Sequence, residues 1–97
     1  MRNLLNNLQF NQVLYTTNRG TNYNFIRIAN DGGIVYTINN NRKILPLYTI
    51  MTALNDSNNG IIINRAWYRN FNEIESRSRG CNLGVLRNLI EMFNSQE

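Results

Sequence analysis

Arg65, Tyr68, Arg69 and Asn72 recur at a spacing that puts them on one side of a helix, since each residue advances the face by roughly 100°. Two guanidiniums, a stacking ring and an amide are the groups that hold phosphate, stack on bases and pair with adenine. Ile63, Trp67, Phe71 and Ile74 take the opposite side, so Trp67 is expected in the core and Tyr68 on the polar face. Arg77 and Arg79 follow in the string Arg77-Ser78-Arg79-Gly80, just ahead of a helix expected to start near Asn82. An anion there would meet free N–H groups and the positive end of the helix dipole. Arg87 completes the set. Nine of the ten basic side chains are arginine, whose flat, permanently charged fork suits phosphate and carboxylate alike.

Other chemistry is thinly supported. The chain has no histidine and one cysteine, Cys81, which removes histidine-based nucleophilic triads, His/Cys zinc sites and an intrachain disulfide. Cys81 reads as a small apolar residue beside a helix start. Six acids are scattered, and Glu73 and Glu75 would share a cation only in extended chain, without a third ligand. The string Gly33-Ile34-Val35-Tyr36 resembles the first half of a GIY-YIG nuclease motif, but the second Tyr-Ile-Gly element does not follow. We expect no catalysis, no metal and no cofactor. The sequence has no long apolar run, so neither a signal peptide nor a membrane span is expected, and a cytoplasmic location follows.

The elements that must position these residues change period halfway along. Residues 1–9 suggest a short helix through Leu4, Leu5 and Leu8. Phe10 to Thr17, Tyr23 to Ala29 and Ile34 to Ile38 read as strands, with Ile26 and Ile28 on one face of the second and Ile34, Tyr36 and Ile38 on one face of the third. Asn30-Asp31-Gly32-Gly33 is a hairpin signal. Pro46 then opens a helix with Leu47, Ile50, Met51 and Leu54 at i, i+3, i+4 and i+7, halted by the polar stretch that begins at Asn55. A second helix is expected from about Asn64 to Asn72, and residues 73–80 read as a connector. A last helix from Asn82 places Leu83, Leu86, Ile90 and Phe93 on a stripe. Val85, Leu89 and Met92 widen that stripe, which fits burial on two sides or a homodimer contact through those three residues.

Together these readings predict one α+β domain of 97 residues, a three-stranded antiparallel sheet followed by two or three C-terminal helices. Its core is expected to combine Trp67, Phe71, Leu83, Leu86, Ile90 and Phe93 with Ile26, Ile28, Ile50 and Leu54. The function expected is a small non-catalytic regulatory protein that binds nucleic acid or a nucleoprotein complex through its arginine-rich C-terminal half. Small size and an asparagine-rich, AT-rich type of composition suit a phage or bacterial defence factor. The competing reading is a protein-binding inhibitor or homodimeric adaptor whose arginines meet carboxylates, as interface enrichment of Arg, Tyr and Trp would allow.

Overall fold

Short turns rich in asparagine and glycine fold the first half of the chain into a meander. The computed structural model describes residues 5–70 and 79–95, leaving out the side chains of Asn70, Arg79 and Gly80. The order is β1 (Val13–Thr16), β2 (Asn22–Ile28), β3 (Ile34–Ile38), β4 (Asn41–Leu45), α1 (Leu47–Asn58), α2 (Arg65–Asn70) and α3 (Arg79–Ser95). The strands pair antiparallel in the order β1-β2-β3-β4. The α+β class holds, but the sheet has four strands rather than three.

The additional strand, β4, is hidden by its composition. Asn39 and Asn40 form a two-residue turn with φ of 50° and 69°, which pairs Ile38 with Asn41. Positive φ at both central residues characterises the hairpin turn that matches strand twist, and asparagine enters that region more readily than most residues. The polar run Asn41-Arg42-Lys43 then suits a sheet edge, where charge discourages pairing with another chain.

In β2 the buried residues are Tyr23 and Phe25, whereas Ile26 is only half-buried. A register shift between Phe25 and Arg27 resets the alternation, so Ile28 also packs on the core. Strict alternation therefore misassigned Ile26 and missed Phe25. Leu5 and Leu8 reach the core from the N-terminal turn, while Phe10 is largely exposed.

A corner between the β2–β3 turn and α1 sets the helical layer. Pro46 occupies the N-cap without a side-chain bond of its own. Asp31 replaces that bond from across the chain: its carboxylate accepts from Gly33 N at 2.8 Å and Leu47 N at 3.1 Å. One helix-terminal N–H is thereby satisfied and a negative charge is placed at the positive end of the dipole. Helix α1 buries Thr49, Ile50, Ala53 and Leu54, leaving Met51 exposed. It runs past Asn55 to Asn58 and ends through Gly60 (φ 84°), with Ile61 N bonding Asp56 O at 2.9 Å and Gly60 N bonding Ser57 O at 3.1 Å. This is the paired carbonyl capping of a Schellman ending.

Helix α3 begins at Arg79, so Asn82 lies inside it rather than at its cap. Its deepest face is Asn82, Val85, Leu86 and Leu89, with Leu83, Ile90, Met92 and Phe93 packed around the edges. Val85 and Leu89 are core residues of the chain itself, which removes them from a homodimer surface; Met92 is partly buried. The widened stripe reflects burial on several sides. Phe71 lies outside the described residues.

Gly33 should be the least tolerant turn position. A Cβ there would stand 2.3 Å from the Leu45 carbonyl oxygen and 2.6 Å from Leu47 N, both backbone atoms. Gly33→Ala is expected to cost about 2–4 kcal/mol, since the strand–helix corner must shift. Asp31→Ala should cost about 1 kcal/mol through loss of the cap. Urea unfolding midpoints check both, and equal midpoints for Gly33→Ala and the parent would refute the packing argument.

Candidate anion-binding surfaces and the buried polar hub

Asn64 caps α2: its side-chain oxygen accepts from Trp67 N at 3.0 Å. The helix is then fixed in rotation by its two aromatic residues. Trp67 is half-buried and its indole N–H donates to Asp56 of α1 at 2.8 Å. Tyr68 is 1% exposed, with its ring edge-on to Trp67 at 5.6 Å. The expectation that Tyr68 offers a stacking face is therefore corrected, because its ring belongs to the core.

What α2 presents outward is Arg65, Ala66 and Arg69, preceded by the exposed Ile61 and Ile62. Arg65 and Arg69 are one turn apart, so they share a face. Asn72 and Arg77 lie outside the described residues, and Arg79 stands at the start of α3 with its side chain outside the description. Arg87 is exposed on α3, one turn before the exposed Glu91. It points away from the buried face through Asn82 and Leu86.

Tyr68 is held inward by a hub that sequence periodicity gave no reason to expect. The Tyr36 hydroxyl donates to Asn82 Oδ1 at 2.5 Å, and Asn82 Nδ2 donates to the Tyr68 hydroxyl at 3.2 Å and to the Ile44 carbonyl at 3.4 Å. Asn82, Tyr36 and Tyr68 are all essentially sealed from solvent. A signal was present, since asparagine inside an otherwise apolar helical stripe needs buried partners.

The phenols respond to this setting. Burial is the main cause that pushes Tyr36 above the ordinary phenol range, with the Cys81, Tyr23 and Tyr68 groups adding to it. Tyr23 is pushed up to about 12, chiefly by burial and then by its hydrogen bond with the Cys81 thiol. Its ring stacks on Tyr36 at 5.8 Å and meets Tyr15 edge-on at 5.2 Å. Cys81 is half-exposed within α3.

Charge is distributed unevenly. Asp31 serves the α1 terminus and Asp56 holds the Trp67 indole. Among the described residues Arg19, Arg42, Lys43, Arg65, Arg69 and Arg87 form no ion pair. No group of three His, Cys, Asp or Glu side chains converges among the described residues, and none of the described helices is long and apolar enough to cross a membrane. A separate open groove of about 480 Å³ lies at one end of the sheet, lined by residues including Tyr15, Arg19, Tyr23 and Asn39. No protein family, curated protein or solved structure matches the chain.

Two outcomes follow from the hub. Asn82→Ala removes the acceptor of the Tyr36 hydroxyl and the donor to the Tyr68 hydroxyl and the Ile44 carbonyl, and should cost about 2–4 kcal/mol, measured by chemical denaturation. Adding Tyr36→Phe to Asn82→Ala should cost less than the two single losses combined, and strict additivity would refute the network. The raised phenols also predict alkaline lability. An unfolded tyrosine ionises near about 10, so between there and about 12 the unfolded chain binds fewer protons than the native one. Stability should be intact below the lower value and fall as pH rises through the window. Phenolate absorbance should show a late fraction appearing with loss of the circular dichroism signal, and ionisation of every tyrosine near pH 10 in a folded chain would contradict it.

Proposed function

We propose that the chain is a non-catalytic regulatory protein that binds nucleic acid, free or within a nucleoprotein complex, through phosphate contacts from Arg65 and Arg69. The observation that carries this reading is that these two arginines are exposed on one turn-spaced face and form no ion pair among the described residues. The nearby Asp56 accepts from the Trp67 indole, and neither arginine is bonded to it. Guanidiniums left without acidic partners raise the local positive potential, and phosphate is the abundant ligand that answers it.

The burial of Tyr68 alters the kind of binding proposed. Base recognition would draw on stacking and amide groups beside the arginines, and the ring is withdrawn from that face. Phosphate contact without strong sequence preference is the better fit. An α1–α2 pair joined by residues 59–64 also has a longer turn than the three or four residues of the usual helix-turn-helix. A role in phage or bacterial defence remains part of the proposal through the composition of the chain alone.

A second reading rests on Ile61 and Ile62, which are 48% and 74% exposed beside Arg65. Exposed aliphatics next to an arginine suit a protein partner bearing carboxylates, such as an enzyme held by an inhibitor. The two readings differ in what happens with salt and bare nucleic acid.

Fluorescence anisotropy with mixed-sequence duplex DNA, single-stranded DNA and RNA should show log K falling linearly with log salt. Arg65→Ala and Arg69→Ala should each reduce the slope by about one unit on the preferred polymer. Absence of binding to all three at low salt would exclude the nucleic-acid reading and leave the protein partner.

A further inference from the structure

The groove at the end of the sheet is built from the β1–β2 and β3–β4 turns and from the tyrosines beneath them. Its volume is about 480 Å³, and it is widely open to solvent. Tyr15 and Tyr23 form an aromatic corner, their rings inclined at 67°. Arg19, Asn18 and Asn39 stand at the polar rim, all exposed and without a hydrogen bond to another described residue.

These walls are held before any ligand arrives. Tyr23 is stacked on Tyr36, which is tied to Asn82. Tyr15 lies against α3 at Gly84, so closely that a Cβ on Gly84 would come within 2.8 Å of its ring. The turn carrying Arg19 is closed by Thr17 N to Thr21 O and Gly20 N to Thr17 O, each at 2.9 Å, and by Thr21 N to the Thr17 hydroxyl at 3.1 Å. Asn39 is fixed by the tight β3–β4 turn. A pre-organised site saves much of the ordering cost of binding.

We propose that this groove binds a nucleoside monophosphate, as a free nucleotide or as the phosphorylated end of a strand. The partly exposed Tyr15 and Ile38, backed by the buried Tyr23, offer an apolar contact for the base, and contact with an aromatic ring is tolerant of base identity. Arg19 supplies a bidentate fork for the phosphate, while the Asn18 and Asn39 amides can donate to sugar or phosphate oxygens. Among the described residues no acid lines the groove, which favours entry of an anion. This inference is independent of Arg65 and Arg69, which do not line the groove.

Titration of the full chain by calorimetry, with two-dimensional NMR to locate the shifts, tests it. AMP or UMP should bind at least about tenfold more tightly than adenosine or inorganic phosphate, because each fragment keeps only half of the contacts. Shifts should centre on Thr17–Thr21, Tyr23 and Asn39. Arg19→Ala should weaken AMP about tenfold or more and leave adenosine unchanged, whereas Arg65→Ala should leave AMP binding unchanged. A 5′-phosphorylated dinucleotide that binds more tightly than AMP, again through Arg19, identifies a strand end as the source; the reverse order identifies a free nucleotide. AMP binding no stronger than phosphate, shifts elsewhere, or an Arg19→Ala variant that is folded and binds AMP normally would each overturn the proposal.

Discussion

One amide constrains the arrangement of the C-terminal half. Asn82 sits inside α3 with no access to water, and its oxygen and nitrogen meet groups from β3, β4 and α2. A buried amide without partners costs roughly 1–3 kcal/mol or more, and the same holds for each phenol left unpaired. Turning α3 by one residue would therefore bury an apolar side chain against two hydroxyls and strand the amide elsewhere. Apolar packing alone would tolerate that slip far better, so the polar hub specifies the rotation that the hydrophobic stripe leaves loose.

That rotation decides the neighbouring contacts. With Asn82 turned to the sheet, Gly84 falls against Tyr15, and Asn88 reaches the Leu14 carbonyl at 2.7 Å. These two positions occupy one flank of α3 against β1. Leu83, Ile90 and Phe93 pack on the core from elsewhere around the helix. The wide apolar band of α3 is thus used within the chain. Tyr68, drawn to the same amide, fixes α2, and Trp67 follows onto Asp56. Which side of α2 carries exposed arginines is consequently a result of buried hydrogen bonding.

The sequence made the helical segments and three strands legible, because apolar period and turn chemistry agreed there. It obscured β4, where Asn39-Asn40 works as a hairpin turn while looking like part of a polar loop. It also obscured the face of β2 ahead of the register shift at Ile26, where Tyr23 and Phe25 point inward, since alternation carries no mark of an inserted residue. Tyr68 and Asn82 were misplaced for a shared reason: each was read as a single polar residue seeking solvent or a cap, whereas the pair satisfy one another across 14 residues. Arg65 and Arg69 were readable as one face because their spacing alone determines it. Arg19 carried no such signal, because the groove depends on two hairpins meeting at one end of the sheet.

The distribution of acids explains why cations remain exposed. Asp31 secures the first turn of α1, and Asp56 anchors the indole that orients α2. Both carboxylates are already engaged in bonds on which the fold relies. An added exposed ion pair would contribute only about 0–1 kcal/mol. Of the acids among the described residues, Asp31 and Asp56 are turned to backbone and indole and Glu91 to solvent, one turn after the exposed Arg87. The same division separates two cationic places. Arg65 and Arg69 lie on an open helix face, for which we propose a polymer of phosphates, while Arg19 borders the open groove beside Tyr15, for which we propose a single nucleotide.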